Sequence, residues 1–292
     1  MIDLHSHSTE SDGALSPTEL VRAAAADGVK VLALTDHDTV SGWAEARKAA
    51  SECGIELIPG VEVSCSGGDD SVHLLGLFID PGNPALTDCF AEVAERRRGR
   101  IQDTCERLTA IGVPLTFEEV AAQSTGPSLG RPHVADALVH KGTVSNRQEA
   151  FDRYLGSNRP GYVSYPWKMT VTEAARLLHQ AGGITSLAHA RFLTQDRVPG
   201  MIEEAGIMAI EVYHPAHGRE HRDRYLRLAE KMGLMVTGGS DFHLPGAAGD
   251  SQSSALGSRL PEARYRELVA AANGRAGSFS VTSTVPSSTR AG

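Results

Sequence analysis

The sequence predicts an α/β protein: a mostly parallel sheet, open or closed into a barrel, with helices outside it and a helix-only segment inserted midway. Three observations carry this reading. Apolar runs of strand length alternate with longer helical patterns through most of the 292 residues, the order that parallel sheets need. The alternation stops between about residues 83 and 166, where almost no strand signal is found. Nearly every predicted strand also ends in one or two side chains able to bind a metal, as when a β/α barrel builds a site at its C-terminal face.

Taken in order, residues 1–5 form a short first strand. A helix over 18–27 follows, with Ser16 as N-cap and Pro17 in its first turn. Residues 29–35 (VKVLALT) are an apolar run closed by Asp36-His37-Asp38. Residues 41–52 are helical, and strands are expected at 56–64 and 72–79. The helix-only stretch holds a helix over 92–111, where Arg96-Arg97-Arg98 reads as a solvated face. Shorter helices fall at 117–123, 133–141 and 146–155. Alternation resumes through 171–181, 184–188, 198–204, 208–213, 218–232 and 234–237, and a last helix covers 261–272. The expected organisation is a metal-binding sheet domain of residues 1–99 and 166–275, a helical insertion of 100–165 capping the site, and a Ser/Thr-rich tail of 276–292. In that tail only a short strand near 279–281 is anticipated.

Composition removes several classes. Lys plus Arg is 28 against 36 for Asp plus Glu, a net charge of −8, with 41% hydrophobic and 22% charged residues. Such a chain can bury a core and is not disordered, collagenous or a coiled-coil rod. Its acidic balance argues against binding nucleic acid by bulk charge. The first residues lack the pattern of a signal peptide, and no apolar run reaches membrane length. Four scattered cysteines without a CxxC pair read as reduced thiols. A cytoplasmic monomer is expected, with no membrane partner and no stable nucleic-acid complex.

The chemistry gathers at strand ends. His5-Ser6-His7 closes the first strand, and Asp12 lies in the next loop. His37 closes the second, Glu62 lies on the third and His73 on the fourth. His189 follows ITSLA, and Asp241-Phe242-His243 follows LMVTGGS. Side chains two apart in extended chain share a face, so His5 and His7 can grip one ion, as can Asp241 and His243 if that segment is extended. A lone histidine usually satisfies a local backbone group. Nine candidates, all placed at strand ends, are better explained as a metal cluster. Mixed imidazole and carboxylate donors suit manganese, zinc or iron(II) more than calcium. Nine ligands exceed what one ion takes, so two or three divalent ions with a bridging carboxylate are expected, manganese foremost. Clusters of this kind hydrolyse substrates or move phosphoryl groups.

These residues carry a resemblance. LHSHSTESDG, LTDHDT, GVEVS, HLLGLF, AHA and GSDFH, in this order, resemble the signature of the polymerase and histidinol phosphatase (PHP) family. GRPHVADALV and AFDRYLG in the insertion resemble its branch of nucleotide phosphoesterases and short-RNA 5′-to-3′ exonucleases. The resemblance implies a distorted (β/α)7 barrel with a trinuclear metal centre. It assigns His5, His7, Glu62 and Asp241 to a first metal and Glu62, His73 and His189 to a second. Asp12, His37 and His243 would hold a third. Asp12 stands where some members carry His, and AHA replaces the commoner AHP. The implied activity is hydrolysis of phosphate esters of small nucleotides, such as the 3′-phosphate of nucleoside 3′,5′-bisphosphates, by metal-activated hydroxide. The alternatives are 5′-to-3′ trimming of short 5′-phosphorylated RNA, amidohydrolase-type C–N cleavage, and a non-catalytic metal-binding module.

Around the cluster, Arg131, His133, Lys168 and Arg191 are candidate phosphate contacts, since cations beside metal ions cradle phosphoryl oxygens. His133 and His217 are also candidate acids for the leaving group. His217 and His221 stand four apart on a predicted helix, but Glu220 is at the wrong offset for HExxH. Cys65 reads as a packed thiol. Phosphate-binding P-loop, dinucleotide and serine-hydrolase motifs are absent.

Overall fold

The structure is a computed structural model that describes residues 1–68, 70–124, 126–164, 168–244 and 255–275. Seven strands form one sheet in sequential order: β1 (Ile2–Asp3), β2 (Val31–Leu34), β3 (Glu56–Gly67), β4 (Asp70–Leu77), β5 (Ile184–Leu187), β6 (Ala209–Tyr213) and β7 (Met235–Gly238). The sheet curls until its ends meet. Leu4 N–H donates to Gly238 O (3.1 Å), Asp241 N–H to His5 O (2.9 Å) and His7 N–H to Phe242 O (3.0 Å). This is the curled α/β architecture that the strand-helix alternation predicts.

One strand departs from the parallel pattern. β4 runs antiparallel to both β3 and β5, while the other neighbours are parallel. The connection between β3 and β4 is too short for a crossover helix, and a hairpin makes antiparallel neighbours. It places His73 opposite Ser64, two residues beyond Glu62 on β3. His73 thus lies near the start of its strand yet on the same end of the sheet as the other ligands.

Helices α1 (Pro17–Ala26) and α2 (Trp43–Cys53) pack Leu20, Val21, Ala46 and Ala49 against Leu32 and Leu34 of β2. Helix α1 opens with the reciprocal Ser16–Glu19 capping box, which satisfies two otherwise orphaned N–H groups. Helix α3 (Pro84–Ala110) starts eight residues before its predicted position, because Asn83 caps it and Pro84 fills its first turn. It runs unbroken past residue 99. Leu86 and Phe90 pack into the sheet's main core, whereas Ile101, Cys105 and Leu108 join a separate cluster. That second cluster is completed by α4 (Phe117–Ala121), α5 (Arg131–His140), α6 (Arg147–Ala150) and the π-turn after it.

The remaining helices, α7 (Val171–Gln180), α8 (Val198–Ala205), α9 (Arg219–Met232) and α10 (Glu262–Arg275), cover the later strands. No helix among the described residues is long and apolar enough to cross a membrane. The tail, with its anticipated strand near 279–281, lies outside the described residues.

Gly239 marks where the sheet closes. A Cβ there would lie 2.2 Å from His5 Cβ and 2.5 Å from His5 N. Gly239→Ala should therefore push the His5 segment off the end of β7 and cost ~1–3 kcal/mol, the range for overpacking. Chemical denaturation of the metal-free protein checks this, and an unchanged midpoint would remove Gly239 as the closing constraint.

Candidate metal centre

The nine predicted ligands gather at one end of the sheet, five of the imidazoles directly on Glu62, which is 1% exposed. Its Oε2 lies 3.2 Å from His5 Nε2, His7 Nε2 and His37 Nδ1. Its Oε1 lies 3.0 Å from His73 Nδ1 and His189 Nε2. One carboxylate thus faces two sets of imidazoles, one through each oxygen. Asp241 Oδ1 closes the first set, 3.4 Å from His5 Nε2 and 3.3 Å from His7 Nε2. Asp12 Oδ1 lies 3.2 Å from His243 Nε2 and 3.9 Å from His7 Nδ1. Ligand atoms fall into compact groups: His5, His7, Glu62 and Asp241; His37, Glu62 and His73; and His7, Asp12, His37 and His243.

The donor atoms themselves test whether cations fit. His5 Nε2, both ring nitrogens of His7, His37 Nδ1, Asp12 Oδ1, Glu62 Oε2 and Asp241 Oδ1 are buried without a hydrogen-bond partner among the described residues. Leaving so many polar atoms orphaned is costly, and a divalent cation among them satisfies the lone pairs together. The electrostatics agree. Burial works against charge on Asp12, Glu62 and Asp241, yet the surrounding imidazoles hold all three well below the usual carboxylate range. Burial likewise opposes protonation of His5 and His7, but Glu62 and Asp241 outweigh it and raise both. The pocket demands positive charge, and metal ions meet that demand by displacing protons.

Further buried groups fix the ligands. Glu211, fully buried on β6, accepts from His5 Nδ1 (3.1 Å) with one oxygen and from His189 N–H (2.8 Å) with the other. His5 Nε2 is thereby directed at the centre, in the manner of carboxylate–histidine–metal relays. His214 Nδ1 accepts from Ala216 N–H, so its Nε2 donates to Asp241 Oδ2 at 3.3 Å. Asp36 takes Ser8 N–H, Ser8 Oγ and Ser11 Oγ at 2.6–2.7 Å and braces the loop carrying Asp12. Asp38 accepts from Ser64 N–H and pairs with Arg97.

Glu211 escaped the sequence reading, although a carboxylate inside the apolar run AIEVY was a usable signal. Arg97 is a correction. It faces inward, bonding Asp38, Ser64 Oγ and Leu129 O, so the Arg96-Arg97-Arg98 run is not uniformly a solvated face. The Asp241 segment is not simply extended: Asp241 has φ 52° and His189 φ 28°. Such backbone is strained for non-glycine residues, and strain of this sort gathers at functional sites.

The candidate phosphate contacts have mixed fates. Lys168 Nζ donates to Ser71 Oγ (2.9 Å), and after burial its pKa is lowered chiefly by Arg100 and Arg97, with Arg131 adding to them. Arg131 donates to Leu155 O and lies over the rings of Phe151 and Tyr162. Arg191 donates to Ala216 O at 2.6 Å.

His133 is corrected to a structural role. Its Nδ1 accepts from Gly130 N–H (2.9 Å) and its Nε2 donates to Ser11 O (2.7 Å), so no ring nitrogen is left for substrate. His217 is also corrected. It precedes α9 rather than lying on it, its Nδ1 donates to Val212 O, and its buried Nε2 carries only a lone pair. A donor of protons to a leaving group it is not. Cys65 is packed, and burial pushes its thiol well up.

Fold and site together define an α/β protein that binds divalent metal ions. Comparison with known proteins narrows the class. The PHP domain profile matches residues 3–83. The chain is similar to a 3′,5′-nucleoside bisphosphate phosphatase of Chromobacterium violaceum, 39% identical over 85% of this chain and 89% of that one. It is equally similar to a 5′-3′ exoribonuclease of Haemophilus influenzae, 39% identical over 83% of this chain and 90% of the other. A solved Chromobacterium violaceum structure described as an amidohydrolase, with bound sulfate and no metal, superposes with TM-score 0.83 at 36% identity, covering 92% of this chain and 96% of that one. This chain belongs to the PHP family.

Burial lowers the pKa of His217 to about 4, below the roughly 6.5 of free imidazole. Between these values the unfolded chain takes up a proton and the folded chain does not. Stability from this group is therefore full above about pH 6.5 and falls as the pH drops toward 4, by up to about 3 kcal/mol. His217→Gln should flatten that part of the stability–pH curve. An imidazole signal for His217 that titrates near 6.5 in the folded protein would refute the assignment.

Proposed function

We propose that this chain uses divalent metal ions to hydrolyse phosphate esters of small nucleotides, with nucleoside 3′,5′-bisphosphates, which would lose the 3′-phosphate, as the favoured substrates. Its family and its similarity to proteins named for phosphate ester hydrolysis make it a phosphoric ester hydrolase. The observation that carries the nucleotide-phosphate reading is the cationic group beside the cluster. Arg97, Arg100, Arg131 and Lys168 act on one another around the carboxylate of Asp38, next in sequence to His37. Gathering like charges is unfavourable unless an anion joins them.

In this reading His5, His7, Glu62 and Asp241 hold one ion, Glu62, His73 and His189 a second, and Asp12, His37 and His243 a third, manganese being the preferred metal. When bound, the ions supply an activated water and positive charge at the phosphoryl group. Glu211 and His214 keep His5 and Asp241 aimed, so the donors need little reorganisation. Arg131, Lys168 and Arg191 are the cations that would receive phosphoryl oxygens, Arg191 standing two positions past His189. With His133 and His217 unable to donate, the leaving oxygen takes its proton from water. The helical insertion of 100–165 would select the substrate. It reaches the loop of Asp12 through Gly126 N–H to Thr9 O, at 3.2 Å, and through His133.

Trimming of short 5′-phosphorylated RNA is the second reading, favoured by the equal identity to the Haemophilus influenzae protein. An amidohydrolase would have no use for the cationic group, and a non-catalytic module would have no need of nine competent ligands. The proposed setting is a cytoplasmic monomer acting on free small ligands.

Phosphate release from a nucleotide panel with Mn²⁺ tests the proposal. Asp241→Ala should lower bound metal and turnover by orders of magnitude. Lys168→Ala should keep the metal but lose about 10²–10³ in rate, the usual cost of one preorganised charged donor. Full activity after exhaustive chelation, or no phosphate release from any nucleotide, would overturn it.

A further inference from the structure

Among the described residues four large apolar side chains are exposed: Met1, Ile111, Phe192 and Leu244. Met1 is at the start of the chain and packs near Gly257, and Ile111 ends helix α3. Phe192 is different in kind. It is the aromatic member of the set, 50% exposed, and its ring meets that of His189 edge-on with centroids 5.8 Å apart. His189 in turn reaches Glu62 at 3.0 Å. A half-exposed aromatic ring therefore stands one imidazole away from the hub of the metal centre.

The ring is also held in place. It belongs to a short 3-10 turn (Ala190–Phe192) that begins directly after His189. The Arg191 guanidinium lies over one face of the ring, 5.6 Å from its centroid, and is itself anchored on Ala216 O at 2.6 Å, so a base would stack on the other face. The turn is closed by Phe192 N–H donating to His189 O and Leu193 N–H donating to Ala190 O. A single exposed phenylalanine needs no explanation in general. One fixed at a metal-ligand ring and flanked by an anchored cation has the form of a stacking platform, since aromatic faces and guanidinium planes are what bases stack upon.

We infer that Phe192 receives the base of a nucleotide substrate by stacking, while Arg191 beside it meets the sugar-phosphate. This inference rests on the nucleotide reading above and extends it from the phosphate to the base. Stacking is tolerant of base identity, because every base has a π-face. Purine and pyrimidine nucleotides should therefore both be accepted, the larger purines more tightly.

The test compares two substrates with the metal-loaded full chain: adenosine 3′,5′-bisphosphate and the abasic ribose 3,5-bisphosphate. Removing one stacked base contact is typically a change of about 5- to 100-fold in affinity. Phe192→Ala should lower the ratio of kcat/KM for the nucleotide over the abasic ester by that factor, mainly through KM. Phe192→Trp should restore the ratio, with bound metal equal in all three proteins. An unchanged ratio while the parent still prefers the nucleotide would overturn the inference and leave the phosphoesterase reading intact. Equal loss on both esters, or loss of metal, would make Phe192 a prop for His189 and overturn it too. A parent enzyme inert on both compounds but active on other phosphate esters would overturn the nucleotide reading and this inference together.

Discussion

Everything in this molecule is arranged around a buried carboxylate that must not be left alone. Glu62 sits on the longest strand with almost no access to water, where an unpaired negative charge would cost several kcal/mol. It is made tolerable by five imidazoles from four separate segments, each within 3.2 Å of one of its oxygens. That demand explains the curl of the sheet. A flat sheet in the order β1 to β7 would hold His5 and His189 several strands apart. Only when the ends meet, through the bonds between residues 4–7 and 238–242, do both reach the same carboxylate.

The cost is spread over the surroundings. Asp38, His189 and Asp241 adopt left-handed backbone at sheet ends, each a strain of ~1–3 kcal/mol. Compensation is visible beside each. Asp38 receives Ser64 N–H and Arg97, His189 N–H is taken by Glu211, and Asp241 N–H is taken by His5 O. Glu211 is the economical member, because one buried side chain sets the ring of His5 and the backbone of His189 together. These contacts use backbone groups and the ring nitrogen of His5 that faces away from the centre, so the donor geometry is imposed by the fold.

The sequence was most legible where local rules and global function coincide. Strand ends and ligands occupy the same positions, so apolar runs closed by His, Asp or Glu revealed sheet and site at once. The resemblance to the PHP family sharpened this into three ligand sets. It was least legible where meaning depends on direction. Nothing in Arg96-Arg97-Arg98 tells which of three adjacent arginines turns toward Asp38; the helix phase decides, and the helix began at Asn83 rather than where its charged run suggested. His133 and His217 carry the same imidazole as the ligands. Their backbone partners, Gly130 N–H, Ser11 O and Val212 O, come from contacts that no spacing rule contains. The antiparallel turn of β4 was missed although the short connection between the strands expected at 56–64 and 72–79 leaves no room for a crossover helix.

These corrections bear on how the site divides its labour. His133 and His217 are locked by backbone contacts, so neither brings acid–base chemistry to the rim. What the rim does offer is charge and surface. Arg97, Arg100, Arg131 and Lys168 act together with Asp38, while Arg191 and Phe192 belong to the turn that follows His189. In the proposed reading a ligand with phosphate at the centre meets both groups, one cationic and the other aromatic with a single cation. A nucleoside bisphosphate has that asymmetry, with a second anionic group and a flat base on opposite arms of one sugar. A simple monoester would fill the centre and leave both arms of the rim unused. On the proposed reading the rim, more than the metal ligands, is where selectivity among phosphate esters would reside.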